Sequence, residues 1–379
     1  MSEDTNTASR RDVLRRGAAA TGALLAGTAT VGATVATAAT IRVGPDGSIG
    51  AAVDEAAPGD TVLVEGGTHR EQVLVRKDLI LRADDATLAP PSGELETLSG
   101  IRPLVGAAGV DVEVTVEGFT VDGEGRDAGD FYTGVGYVGA DGRVRDVTVE
   151  RTDFGGYVTR KPGSDVDHRV AVTGCRFEGL GADPLVFARS GTTGRVLDST
   201  FVGTPGTAQR ALTAGYGARV LAEGNAFREF YVADGGTDIG VGFFAFDSAD
   251  NTLRDNEFEA VQYPAYLLAY AGSDLGSAAG RSRIERNEAE GEDLPDGATS
   301  YGTVVSAYDP ETEDGTTETA NDVRVVNNDY EGFDVGVALL TEGEGTVRNT
   351  KVINNGFDEV DEPIVDEGEG TKKRANRVD

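Results

Sequence analysis

The chain is poor in the residues that many proteins use for chemistry. Its 379 residues hold one Cys, two His, one Met and no Trp. A single thiol excludes an internal disulfide, and no Cys-based zinc finger or Cys-x-x-Cys redox pair can be assembled. Lysine is scarce as well: five Lys stand beside 29 Arg, and these cations face 65 Asp and Glu, for a net charge of −31. Repulsion on that scale opposes encounters with a polyanion, so nucleic acid and anionic membranes are not expected as partners, local basic patches aside. The uncharged stretch from Gly17 to Thr40 is Ala, Gly and Thr with little beyond Leu24 and Leu25 to hold it in hydrocarbon, too weak for a membrane anchor. No Gly-rich phosphate loop, zinc spacing or nucleophile elbow appears.

What is present begins with an address. Ser9-Arg10-Arg11-Asp12-Val13-Leu14 matches the twin-arginine export pattern, and Ala36-Thr37-Ala38 supplies a small-residue cleavage site. Residues 1–38 are therefore expected to be a removable targeting segment, leaving a protein that is secreted or held at the cell surface without stable membrane insertion. A lipid anchor would need a Cys just after that run, and the one Cys is Cys175. An Asp/Glu-heavy, Lys-poor chain rich in Ala, Gly, Thr and Val resembles proteins of extreme halophiles, in which surface carboxylates hold water in concentrated salt. On that haloarchaeal reading the acidity reports on solvent and says little about partners.

The remainder is periodic. In Val170-Ala-Val-Thr-Gly-Cys-Arg-Phe-Glu-Gly179, positions 1 and 3 are apolar, 6 is small, 8 is aromatic and 10 is Gly. The same frame is read at Val114, Val147, Gly194, Val220, Asn251, Ser282, Val323 and Thr350. Position 8 is then Val121, Phe154, Phe177, Phe201, Phe227, Phe258, Ala289, Tyr330 and Phe357, at intervals of 33, 23, 24, 26, 31, 31, 41 and 27 residues. Alternation over so short a span, closed by Gly or Asn, predicts strands and tight turns. One coil of a parallel β-helix has about this length, with the longer intervals carrying added loops. Position 6 reads Asn225, Asn256, Asn287, Asn328 and Asn355, a column of amides suited to stacking between coils. A second strand, often opened by Gly, recurs between blocks at Gly134, Leu185, Ala211, Gly240, Ala265, Gly302 and Gly336. Ahead of the first block, the segment that opens IGAAVDEAAPGD predicts a short helix covering the open end of the core, followed by strands at Thr61–Val64, Gln72–Val75 and Leu79–Leu81.

These features predict an all-β, single-stranded right-handed parallel β-helix of about eleven coils over residues 39–365, with a charged tail at 366–379. The segment AAVDEAAPGDTVLVEGGTHRE, the stretch EGFTVDGEG and the recurring VxVxxNxF coils resemble the pectate-lyase-like superfamily of right-handed parallel β-helices. The resemblance implies an acidic polysaccharide or cell-surface glycan as partner, bound in a groove along one sheet with carboxylates, Arg and often calcium. The chain departs from each enzyme subfamily. GGTHRE has His69 where pectin methylesterases have Tyr and lacks their DFIFG-like stretch. The NTD, paired DD, GHG and RIK of polygalacturonases are absent, and RKPGSD at Arg160 only loosely echoes the RxPxxR of pectate lyases.

Within this frame three groups could carry function. Positions 2 and 4 of the blocks point outward and give a basic stripe, Arg254, Arg283, Arg324 and Lys351, suited to carboxylates or sulfates. Asp234, Asp238 and Asp247, in a Gly-rich loop and the strand after it, offer oxygen ligands for calcium. Asp234 and Asp238 with Arg210 or Lys161 as base would then make the catalytic set of a lyase, hydrolase or epimerase. Tyr263, Tyr266 and Tyr270, near Phe243, Phe244 and Phe246, could stack on sugar rings. Asp165, Asp167 and His168 are a further candidate metal set. The chain is expected to act as a monomer, either as such an enzyme or as a non-catalytic glycan-binding or envelope-scaffold module.

Overall fold

The computed structural model describes residues 38–125, 131–232, 239–270, 279–292, 294–295, 297–309 and 319–379. The expected targeting segment lies outside these residues, Ala38 apart. The protein is a right-handed parallel β-helix. Each coil contributes one strand to a first sheet, one to a second and one to a third, and these sheets hold 13, 12 and 11 strands. Pairing is parallel and register is kept from coil to coil: Val144, Val172, Val196 and Ala222 follow one another inward along the first sheet.

The turn from the first sheet to the second is short and shows why the repeat has the residues it has. The residue before position 6 is left-handed in coil after coil, with φ of 65° at Gly174, 48° at Asp198, 69° at Gly224, 53° at Asp255 and 59° at Asn327. Gly, Asn and Asp reach that conformation at least cost, so they recur there. Position 6 then turns inward, and its Asn side chains form the expected ladder. Asn256 Nδ2 donates to Asn287 Oδ1 at 2.9 Å and Asn287 Nδ2 to Asn328 Oδ1 at 2.9 Å, while each backbone N–H donates to the same oxygen at 3.1 and 3.0 Å. The ladder has one more step than expected, Asn376, whose Oδ1 accepts from Asn355.

Eight of the nine expected position 8 side chains share one column. Phe177, Phe201, Phe227 and Phe258 stack with ring centroids 5.0, 4.9 and 4.7 Å apart, and Tyr330 stacks on Phe357 at 5.6 Å. Phe154 is the exception. Val149 pairs with both Val121 and Phe177, so this coil's frame begins at Gly142, five residues before Val147. The alternation in GRVRDVTVE supports either frame, and only pairing with the coils on both sides decides between them. The Gly that opens many third-sheet strands faces this column: a Cβ on Gly302 would stand 2.4 Å from the Tyr330 ring, and one on Gly336 2.3 Å from that of Phe357.

The helix Ile49–Glu55 buries Ile49, Ala52 and Val53 in the same continuous core. Ser48 caps it through Oγ, and the Glu71 carboxylate accepts from the N–H groups of Ile49 and Gly50 at 2.6 and 2.9 Å. His69 sits at the foot of the position 8 column, paired in register with Leu88, its ring nitrogens 3.2 and 3.1 Å from the carbonyls of Gly47 and Gly66. The GGTHRE element thus serves the cap. At the other end the fold runs past residue 365. Lys372–Arg374 pairs with Lys351–Ile353 and Arg377–Val378 with Gly356–Phe357, so the charged stretch forms a last partial coil instead of a tail. No helix among the described residues is long and apolar enough to cross a membrane.

Candidate functional site

Long connections flank only one sheet. Those from the second sheet into the third and from the third back to the first vary in length, while the first-to-second turn stays short. The outer face of the third sheet therefore lies between loops, and its outward residues form a belt. Tyr157, Val186, Thr213, Phe244, Tyr266, Val304 and Ala338 occupy one register across seven strands. Aromatic contacts extend the belt sideways: Tyr263 stacks on Tyr301 at 5.3 Å, Tyr270 on Tyr308 at 5.2 Å, and Phe246 touches both Tyr216 at 5.2 Å and Tyr270 at 5.8 Å. Tyr216 and Tyr270 are 45% and 37% exposed, among the few large hydrophobic side chains that reach solvent. Burial pushes the Tyr263 hydroxyl up to about 12, so it remains a neutral hydrogen-bonding group at ordinary pH.

Charge enters this face through arginine. The Arg210 guanidinium lies 5.0 Å from the centre of the Phe244 ring and 3.6 Å from the Asp183 carboxylate, which also accepts from the Arg210 N–H at 2.9 Å. Burial raises the Asp183 carboxyl above its usual range even though Arg210 pulls it down. Towards the N-terminal end of the sheet, Ser99, Ile101, Phe131, Tyr157, Thr159, Arg160 and Arg189 line an open cavity of about 200 Å³. Of this lining, Phe131 and Tyr157 cluster with Phe154, ring centroids 5.4 to 6.0 Å apart. Ser99, Phe131 and Arg189 have left-handed φ of 50°, 59° and 75°, a backbone arrangement costly for such residues. The charged residues lining the cavity are both Arg, and neither forms an ion pair among the described residues.

The expected site residues divide among three places. Tyr263, Tyr266 and Tyr270 come together on the third-sheet belt with Arg210. Arg210 stands between the Asp183 carboxylate and the Phe244 ring, where its planar guanidinium offers hydrogen-bond donors and no acceptor. Arg254, Arg283, Arg324 and Lys351 lie on the outer face of the first sheet, so stripe and tyrosines do not share one groove. Arg254 is tied to Glu223 at 2.9 Å. Asp234 and Asp238 lie outside the described residues. Asp247 is fully buried and its Oδ1 accepts from the Tyr270 N–H at 2.7 Å, holding the end of that strand. Among the described residues no three His, Cys, Asp or Glu side chains gather as a metal site, which removes Asp165, Asp167 and His168 as a set. His168 is buried beside Thr192 Oγ1 at 3.4 Å. Sequence reading missed Arg160, Arg189, Asp183, Tyr301 and Tyr308. The two tyrosines were legible: YPAYLLAY at Tyr263 and YGTVVSAY at Tyr301 carry Tyr at the same first and last places.

No protein-family model matches the sequence, and no curated protein matches it. Solved structures do share its fold. The family 28 exopolygalacturonase of Yersinia enterocolitica matches with a TM-score of 0.56 at 12% identity, over 89% of this chain and 78% of that one. The tailspike protein of Escherichia coli bacteriophage HK620, solved in complex with a pentasaccharide, matches with a TM-score of 0.58 at 11% identity, over 89% of this chain and 64% of the tailspike. DFA-IIIase of Arthrobacter chlorophenolicus A6 matches with a TM-score of 0.55 at 12% identity, over 89% of this chain and 98% of its own. At such identities the likeness is one of fold, the parallel β-helix.

Proposed function

We propose that this protein binds an acidic polysaccharide along the outer face of its third sheet, outside the cell or at its surface. The observation that carries the proposal is the aromatic belt. Tyr216, Phe244, Phe246, Tyr263, Tyr266, Tyr270, Tyr301 and Tyr308 form one connected surface between loops, on a chain with no Trp and only 7% aromatic residues. Aromatic planes suit the C–H faces of sugar rings, and tyrosine adds a hydroxyl that can bond ring substituents. Arg210 within the belt and Arg160 and Arg189 in the cavity favour sugars bearing carboxylate or sulfate. The relatives in fold include a polygalacturonase and a tailspike bound to a pentasaccharide, and the N-terminal twin-arginine pattern supports export.

A second, catalytic reading rests on Asp183. A carboxyl whose proton is held more tightly than usual, at the edge of a sugar-sized surface, is suited to act as a general acid. The test is calorimetric titration with polygalacturonate, alginate and a neutral glycan in molar salt, with release of reducing or unsaturated ends followed in parallel. Tyr266→Ala is expected to weaken glycan binding about tenfold, the loss of one stacking contact worth about 1 kcal/mol together with its buried area. Product release abolished by Asp183→Asn would establish the catalytic reading. Lack of binding to every glycan would sink both.

A further inference from the structure

Four cations stand one above another on the outer face of the first sheet, at the C-terminal end. Arg283 pairs in register with Arg324, Arg324 with Lys351, and Lys351 with Lys372. Neighbouring strands are about 4.8 Å apart, so the row spans roughly 14 Å along the helix axis. Arg283, Arg324 and Lys372 are exposed and Lys351 half-buried, and none of the four has an ion-pair partner among the described residues. Nearby cations behave differently: Arg254 is paired with Glu223, Arg281 with Asp250, and Arg286 with Asp255. Carboxylates abound on the adjacent second sheet, where Glu257, Glu288 and Asp329 share one register and Glu259, Glu290, Glu331 and Asp358 another. On the row's own face the acid beside it is Glu285, which pairs with Arg286, so the denser acidic registers lie one face away.

Like charges directly opposite each other on neighbouring strands repel, so the row is destabilising unless something meets it. Beside it, two residues along, run Glu285, Val326, Ile353 and Arg374, so an apolar lane lies next to the middle of the row. We infer that this strip is a second binding site, separate from the third-sheet belt, for a linear anionic glycan with one carboxylate or sulfate about every 5 Å, laid parallel to the helix axis. Each anion would meet one rung, and the sugar's C–H surface would rest on Val326 and Ile353. Outward positions of this register, from Thr115 through Arg143, Ala171, Arg195, Leu221 and Thr252 to Lys372, hold no aromatic side chain, so the face offers no platform for stacking bases. In molar salt the Debye length is about 3 Å, shorter than the rung spacing, so binding must come from direct contact and bidentate Arg hydrogen bonds instead of long-range attraction.

The inference is independent of the third-sheet reading, and one set of titrations separates them. Polygalacturonate and heparin serve as uronate and sulfate probes over a salt series, with the combined variant Arg283→Gln, Arg324→Gln, Lys351→Gln and Lys372→Gln beside Tyr266→Ala. The four contacts of the strip should contribute about −3 to the slope of the logarithm of the binding constant against that of salt, at roughly 0.7 per contact on a single-stranded polyanion. The combined variant should bind at least tenfold more weakly and lose that share of the slope, keeping only what the belt's arginines supply, while Tyr266→Ala keeps the slope. Without ligand in dilute salt, the combined variant should unfold no earlier than wild type, which excludes misfolding as the cause. Unchanged binding by the combined variant would overturn the strip and leave the belt standing. Equal competition by monomeric galacturonate would overturn the periodic match. Capture of a single-stranded oligonucleotide with the same slope would overturn the glycan assignment. Self-association lost in the combined variant would overturn it in favour of a second copy presenting its acidic second sheet.

Discussion

Replacing Asn287 tests the physical basis of the coil most directly. Its amide is 4% exposed and makes four hydrogen bonds: Nδ2 donates to Leu253 O at 3.0 Å and to Asn328 Oδ1 at 2.9 Å, while Oδ1 accepts from Asn256 N and Nδ2 at 3.1 and 2.9 Å. In Asn287→Ala, Asn328 Oδ1 keeps the Asn287 N–H at 3.0 Å, and Asn256 Nδ2 keeps two carbonyls at 3.2 and 2.9 Å. The Asn256 N–H, however, loses this acceptor and Leu253 O this donor. A buried group left unmet costs about 1–3 kcal/mol, so the substitution should destabilise by about 3–5 kcal/mol. Asn287→Asp should cost more at neutral pH, because an acceptor replaces the donor that faces Leu253 O and Asn328 Oδ1. That carboxyl would have a folded pKa above its unfolded value of about 4. Its penalty should therefore be smallest at acid pH and grow as pH rises through the folded pKa. The assay is thermal unfolding in molar salt followed by circular dichroism, with exposed Glu288→Ala as a control expected within about 0.5 kcal/mol of wild type. An Asn287→Ala protein as stable as that control would refute the reasoning, since water would then be filling the ladder at no cost.

Other consequences follow from individual positions. Gly302→Ala sets a Cβ 2.4 Å from the Tyr330 ring and should cost about 1–3 kcal/mol by overpacking, measured in the same unfolding assay. Burial holds the His168 imidazole below its usual range, against the pull of Asp141 and Asp167. As pH falls below about 6.5 the unfolded chain takes up that proton first, so the contribution is full above this pH and stability is lost below it. In His168→Asn this part of the pH dependence should vanish, by at most about 1.4 kcal/mol per pH unit, and parallel curves for the two proteins would refute it. Burial also pushes the Cys175 thiol up to about 11, so it should resist a thiol reagent at pH 8 until the protein unfolds; rapid labelling of native protein would contradict its placement in the core.

Sequence determined the repeat, and with it the fold, because a solenoid writes its core into local spacing. The Asn column at position 6, the aromatic column at position 8 and the Gly that opens third-sheet strands are each fixed by contacts to the next coil, so each recurs at one place in the frame. The slip at Phe154 shows the limit of this reading: period-2 alternation cannot choose between two offsets, and only Val149 pairing with Val121 and Phe177 does. The stretch at 366–379 reads as a tail because charge dominates it, yet Lys372–Arg374, all three residues exposed, pairs with Lys351–Ile353 as a strand of the first sheet. The functional surfaces were less legible. Outward residues are free of the core's constraint, so the frame puts Arg283 on the block strand and Tyr266 on the strand between blocks but does not tell how those faces are set against each other. Tertiary structure made that separation, placing the tyrosine belt on the third face, the unpaired cation row on the first beside paired acids such as Glu113 and Glu223, and the longest acidic registers on the second. It also brought Arg160 and Arg189, 29 residues apart, to one cavity, because the coil returns the chain to the same face once per turn.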